Sequence, residues 1–293
     1  MKRRKRAETD VQSTVNRMPA VVEPLGPSHV GALRAMLSRD TTHNMYLLGL
    51  MEEFGVVSNA RAPFTFFGRF FDGELTAALF VGSGGGLLVP SASSPLHIGD
   101  IAKTLHGLVK PRGLLGEQQV VDALLRHFEV TPRFVRSQRL FSVSPNDLGP
   151  FTNPLLRAAT PADVPRLVPL AAACIEEALG RDPLRDDAAG FELRVQQRIN
   201  AGRTYVLEEG DELVFKLDVG SRSQFGAELE GLYTAPSHRK KRHATLCLGQ
   251  ISRFLMSSLP RLTLRIDDEL PWFAETARKV GYLQARQQKL VWL

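Results

Sequence analysis

Through HNMYLLGLMEEFG, residues 43 to 55, apolar positions recur at helical spacing, and the run stops at Gly55, a residue suited to close a helix. The chain then reads as a strand (GGGLLVP), a helix (IGDIAKTLHGLV), a strand (RGLLGE) and a helix (QQVVDALLRHF). A second series follows. PADVPRLVPLAAACIEEAL and AAGFELRVQQRINAG carry helical patterns, and three strands run up to AELEGLYTA. Ala244, Cys247, Leu248, Ile251 and Leu255 then fall on one helical face. RLTLRID is a strand, PWFAETARKVG a helix and QQKLVWL a last strand. The order is mixed α/β, and SVSPNDLGPFTNP, rich in Pro, Ser, Asn and Gly, separates the two series.

The two series repeat one another. GPSHVGALRAML and TPADVPRLVPLA share Pro-x-x-Val-x-x-Leu, starting at Pro27 and Pro161, an offset of 161 − 27 = 134 residues. DGELTAALFVGS and GDELVFKLDVGS end at Ser83 and Ser221, an offset of 221 − 83 = 138. Matching elements in the same order at nearly the same offset indicate a duplicated unit. Pro27 and Pro161 belong at a first helical turn, where proline is best tolerated.

A length of 293 residues suits two domains, and no apolar run approaches the ~18 residues of a membrane helix. The net charge of +6 includes five positive residues in KRRKR at positions 2 to 6, so the remainder carries 6 − 5 = +1. Residues 1–18 are expected to form a disordered basic arm without the interleaved aromatics of a nucleic-acid platform. No apolar stretch follows that start, so a cytoplasmic location is expected. Neither a membrane nor a nucleic acid is expected as partner. The two cysteines, Cys174 and Cys247, lack metal-ligand spacing and read as buried thiols; no metal site is expected. GSGGG at 82 to 86 lacks a Gly-Lys-Ser ending and reads as a turn between strands.

The chemistry concentrates near PSHRKKRHATLCLG, where a strand turns into a helix. The free amides and dipole of a helix N-terminus hold phosphates there, normally with glycine in the loop. Here stand Arg239, Lys240, Lys241, Arg242 and His243. The cations either reinforce a phosphate site or fill it. Glu228 and Glu230, alternating along AELEGLYT, share a sheet face with Leu232 and Thr234 and are candidate bases, because paired carboxylates raise each other's pKa. His238 and His243 flank the basic run and have the chemistry of a proton shuttle.

The strand, charged turn and long helix resemble the Gcn5-related N-acetyltransferase (GNAT) superfamily, and the whole chain resembles a tandem GNAT protein with a degenerate N-terminal copy. The resemblance implies two mixed α+β domains, at 19–150 and 151–293, each a mostly antiparallel twisted sheet flanked by helices. It implies acetyl-CoA as acyl donor, held by Arg239 to Ala244 together with Leu232, Tyr233 and Thr234. The family motif Arg/Gln-x-x-Gly-x-Gly/Ala is matched at Arg239 and Ala244, while Arg242 stands at the glycine position and Lys240 at another often held by glycine. The first copy, with LLVPSASSPLHIGD, has no such motif. A tyrosine that serves relatives as acid falls at Ala277, five residues before Tyr282, so Tyr233 is the remaining acid candidate. Two functions follow from the resemblance. One is transfer of an acetyl group to an amine on a small molecule or protein, with Glu228 or Glu230 as base. The other is a non-catalytic module that binds a protein partner. The cleft between the halves is the expected acceptor site, and the apolar LVWL end needs cover from the other half or a partner.

Overall fold

The protein, as a computed structural model, is described over residues 19–58, 63–82 and 86–293, so the basic arm and most of the GSGGG turn lie outside the described residues. The first half runs β1 (Val21–Pro24), α1 (Val30–Leu37), α2 (Met45–Phe54), β2 (Thr65–Phe71), β3 (Glu74–Val81), β4 (Leu87–Ala92), α3 (Ile98–Leu105), β5 (Gly113–Glu117), α4 (Gln118–Leu125) and β6 (Phe134–Val143). The second runs β7 (Arg157–Ala158), α5 (Val164–Leu179), α6 (Pro183–Asn200), β8 (Thr204–Glu209), β9 (Glu212–Ser223), β10 (Gly226–Thr234), α7 (His243–Leu255), β11 (Leu262–Asp267), α8 (Pro271–Val280) and β12 (Leu283–Trp292). The repeat is thus carried by matching elements. Pro27 and Pro161 each open a short 3-10 turn leading into α1 and α5, and those helices begin at Val30 and Val164, again 134 residues apart. α2 ends where the sequence places its stop, with Gly55 at φ 78° donating its amide to the Met51 carbonyl.

Among the described residues twelve strands form one sheet in the order β1-β2-β3-β4-β5-β12-β6-β11-β10-β9-β8-β7. The order is symmetric about the β12–β6 pair, and the two copies have exchanged strands there. β6 leaves the first half to pair with β11, and β12 leaves the second to pair with β5, each antiparallel. The two exchanged strands pair with each other from Leu283↔Ser142 to Trp292↔Phe134. The apolar chain end is therefore covered by the first half, with Trp292 stacked on Phe134 at 6.4 Å between ring centroids. β6 is a strand that the hydrophobic pattern did not announce, and its last residues, Ser142 and Val143, lie in the segment that separates the two series.

The cores follow the exchange. Phe141 and Val143 of β6 are buried with α7, α8 and β9 to β11, whereas Val291 of β12 is buried with α3, α4 and the first half's strands. α1 and α2 cover a second face of the first half, and α5 and α6 pack on β8. α2 also crosses to β9 and β10, approaching so closely that a Cβ on Gly49 would lie 2.6 Å from Ser221. Arg203 to Glu53 at 2.6 Å adds an ion pair between the halves. Among the described residues no helix is long and apolar enough to cross a membrane.

Because each half completes the other's sheet, neither is expected to fold alone. Residues 19–150 produced separately should show no cooperative thermal transition by circular dichroism, and co-expression with 151–293 should restore one. A sharp two-state melt of 19–150 by itself would contradict the exchange.

Candidate active site

β10 and β11 are parallel neighbours only from Ala227↔Leu262 to Leu229↔Leu264, and then they part. Register shifts after Glu228 and after Glu230 bulge β10 at the parting. Gly231 has φ 59°, and a Cβ there would meet Lys216 Nζ at 2.7 Å and Asp218 Oδ2 at 2.8 Å, so glycine is required both by conformation and by space. Lys216 is buried; its Nζ donates to Asp218 Oδ2 at 2.6 Å and to the Gly231 carbonyl at 2.8 Å. The buried charge is paired, and the pair pins the bulge.

The parting opens a cavity of about 210 Å³ whose lining includes Glu228, Glu230, Gly231, Leu232, Arg265 and Gln138. Glu228 is 3% exposed and bonded through Oε1 to Arg265 of β11, while its Oε2 has no hydrogen-bond partner among the described residues. Burial pushes the Glu228 carboxyl up to about 7, helped by the neighbouring Glu230 and opposed by Arg265. A carboxyl raised in this way holds its proton more tightly folded than unfolded. Its contribution to stability is full below the ordinary 4.5 and is lost as pH rises through about 7. Tyr46, from α2 of the first half, lies over Arg265 at 5.5 Å, and burial pushes its hydroxyl up to about 12. Glu230 is held by Arg198 of α6 at 2.6 Å, and Arg198 also reaches Asp218 at 3.4 Å.

Glu228, Glu230 and Leu232 thus meet in one cavity, whereas Tyr233 and Thr234 lie beyond it. The Tyr233 ring is buried under the Arg239 guanidinium, 5.4 Å away, and burial raises its hydroxyl, with Glu177 adding to the effect. Tyr282 is fully buried with its hydroxyl 2.8 Å from Ser252, and Ala277 is enclosed in α8. Cys247 is buried and Cys174 partly so.

The basic run splits into engaged and free members. Arg239 is bonded to Glu177 of α5 at 2.6 Å and to the Thr234 carbonyl at 3.1 Å. Glu209 lies 3.2 Å from His243, 3.5 Å from Lys241 and 3.7 Å from His238. Lys240 and Arg242 are exposed, and no hydrogen bond or ion pair engages their side chains among the described residues. Their backbones are the notable part: Lys240 has φ 64° and Arg242 φ 68°. Both occupy the left-handed region that glycine serves in phosphate loops, at a strain of about 1 to 2 kcal/mol each. The loop keeps a glycine-type path without glycine, and both side chains are exposed. The corresponding loop of the first half has no left-handed residue between Ala92 and Ile98.

Sequence reasoning did not single out Gln138, Arg198, Lys216, Asp218, Glu177, Glu209 or Arg265. Lys216 and Asp218 inside LVFKLDVG, and Arg265 inside LTLRID, did carry a signal, because a charge within an apolar strand pattern must find a partner.

No family model and no curated protein sequence matches this chain. Solved structures do match its fold along nearly its whole length. A Drosophila protein aligns with TM-score 0.66 at 13% identity over 94% of this chain and 99% of its own. A GCN5-related N-acetyltransferase from Sphaerobacter thermophilus aligns at 0.60 and 12% identity, over 93% and 94%. A tandem GNAT protein from the clavulanic acid biosynthesis pathway aligns at 0.57 and 10%, over 93% and 98%. With two mixed α/β copies, mostly antiparallel sheets and a parallel pair that parts over a cavity, the chain has the GNAT fold in its tandem form.

Proposed function

We propose that the protein is an acyl-CoA-dependent N-acyltransferase that moves an acetyl group to an amine. The observation that carries this reading is the parting of β10 and β11 over a cavity holding a carboxylate raised toward neutrality, with one oxygen unpaired. The loop supports the donor. Backbone amides from Lys240 to Ala244, at the start of the 13-residue α7, suit a pyrophosphate, and exposed Lys240 and Arg242 add charge at its edge. Acetyl-CoA would supply a thioester whose thiolate is a tolerable leaving group near pH 7, since a thiol's pKa is about 8.5.

Within this chain, Glu228 Oε2 takes the proton of the attacking amine as the nitrogen–carbon bond forms. The carbon–sulfur bond breaks, and the thiolate recovers a proton from solvent or from Glu228. Arg265, packed against the Tyr46 ring, orients the Glu228 carboxylate. Glu230, tied to Arg198, sets negative charge beside the acceptor. The two free cysteines suit a reducing compartment, and we place the reaction in the cytoplasm. One observation favours a non-catalytic binding module instead: Glu177 and Tyr233 already occupy the motif arginine, Arg239.

Release of free thiol from acetyl-CoA with a panel of primary amines tests the reading. The rate should rise with pH through about 7, as Glu228 loses its proton. Glu228→Gln should flatten that rise and lower kcat/KM roughly 10²- to 10⁴-fold. A pH profile identical in wild type and variant removes Glu228 from the role of base.

The loop gives a second expectation. Replacing Lys240 and Arg242 together by glycine relieves left-handed strain of about 1 to 2 kcal/mol per residue and adds ~0.5 to 1 kcal/mol of chain entropy per glycine. The double variant should therefore unfold at a slightly higher urea concentration than wild type. Acetyl-CoA binding should persist in it, with a weaker dependence on salt. A destabilised double variant would contradict the backbone geometry.

A further inference from the structure

Trp292, near the end of β12, pairs with Gly113 at the start of β5 on one side and with Phe134 at the start of β6 on the other. α3 and α4 both run back to this end of the sheet, so the loops that follow them, residues 106–112 and 126–133, emerge side by side. His106 Nδ1 lies 3.2 Å from the His127 carbonyl oxygen and joins the two. These loops carry Lys110, Arg112, Arg126 and Arg133, and Lys103 stands on the last turn of α3. Glu129 is their one acid, so the surface carries 5 − 1 = +4 in a chain whose charge outside KRRKR is +1. All five cations are exposed, and among the described residues no hydrogen bond or ion pair engages their side chains. Exposed arginines elsewhere, such as Arg39, Arg194 and Arg286, each meet a carboxylate. Two aliphatic side chains stand among the free cations. Leu108, after the left-handed Gly107, is 77% exposed, and Val130 is 45% exposed.

A cluster of unpaired cations calls for an anionic partner. The side chains between the cations decide its kind. A nucleic acid or an acidic protein segment would use the charge and leave Leu108 and Val130 in water. A lipid–water interface uses both, because cations meet headgroup phosphates while aliphatic side chains enter the boundary of the acyl chains. We infer that this end of the first half is a docking surface for an anionic membrane, with Leu108 and Val130 between headgroups and the five cations on lipid phosphates. The expectation of no membrane partner rested on missing apolar spans, and contact at the interface needs none. Nothing in this surface depends on acyl transfer. It lies near the cavity all the same: Leu115 and Leu290, which line the cavity, are two residues from Gly113 and Trp292 along β5 and β12, about 7 Å. Docking therefore brings the cavity close to the bilayer.

The probe is a vesicle of phosphatidylcholine and phosphatidylserine, with pure phosphatidylcholine as the neutral control, co-sedimented with the full-length protein at about 0.1 M salt. Wild type should sediment with the anionic vesicles and not with the neutral ones. Lys110→Glu combined with Arg126→Glu should weaken that binding roughly 25-fold or more, since each cation near such a surface contributes about fivefold. Leu108→Ser should weaken it about tenfold at unchanged charge. The substituted side chains are all exposed, so both variants should melt at the wild-type temperature. KRRKR is common to the three proteins, so differences among them report on the loops. A DNA duplex and polyglutamate are titrated in parallel by fluorescence anisotropy. Binding of either polymer without binding of vesicles assigns the surface to that polymer and overturns the membrane proposal. Vesicle binding that survives the charge reversal, or that is indifferent to Leu108→Ser, overturns it as well.

Discussion

The hydrogen bonding of β12 on both of its edges is the constraint on which the rest depends. One strand from the second half closes the gap between β5 and β6, two strands of the first, so that two sheets become one. Buried backbone amides and carbonyls must be paired, and a sheet edge left open in the middle of the molecule would leave whole rows unsatisfied. The exchange pairs them, and it sends side chains across the boundary in both directions. Phe141 and Val143 join the second core, and Val291 joins the first.

The same arrangement accounts for the site. Once β6 flanks β11, β11 is held from that side along six residue pairs, while β10 contacts it over only three before bending away. The bend needs an anchor, which Lys216, itself paired with Asp218, provides by donating to the Gly231 carbonyl. Glu228, which lines the cavity so formed, is itself buried and experiences desolvation stronger than the opposing attraction of Arg265. The shift toward neutrality follows from the fold: a carboxylate that had to be buried to line the gap is hard to ionise there. The strained loop at Lys240 and Arg242 belongs to the same frame, because β10 and α7 are fixed at both of its ends.

Much of this was legible in the sequence, for identifiable reasons. Helical periodicity located α2, α5 and α7, and the paired prolines located the repeat, because both depend on neighbours in the chain. Glu228 and Glu230 were visible as alternating carboxylates, and both line the cavity. The strand exchange was not visible, since pairing partners of a strand are chosen over distances that periodicity does not encode. Polar and charged residues at Arg136, Ser137, Gln138 and Arg139 hid β6 for the same reason: they serve contacts on other elements, such as Gln138 with Asp267 and Arg139 with Asp268. The motif position of Arg239 was legible, but its partner Glu177 lies 62 residues away on α5.

The central proposal is that this tandem fold contains one acyl-donor site, in the second half. Isothermal titration calorimetry of the full-length protein with acetyl-CoA at pH 7 and low salt measures it most directly. The account requires one molecule bound per chain, because left-handed loop residues precede α7 and are absent before α3. No measurable heat at millimolar acetyl-CoA, or two molecules bound per chain, would contradict it.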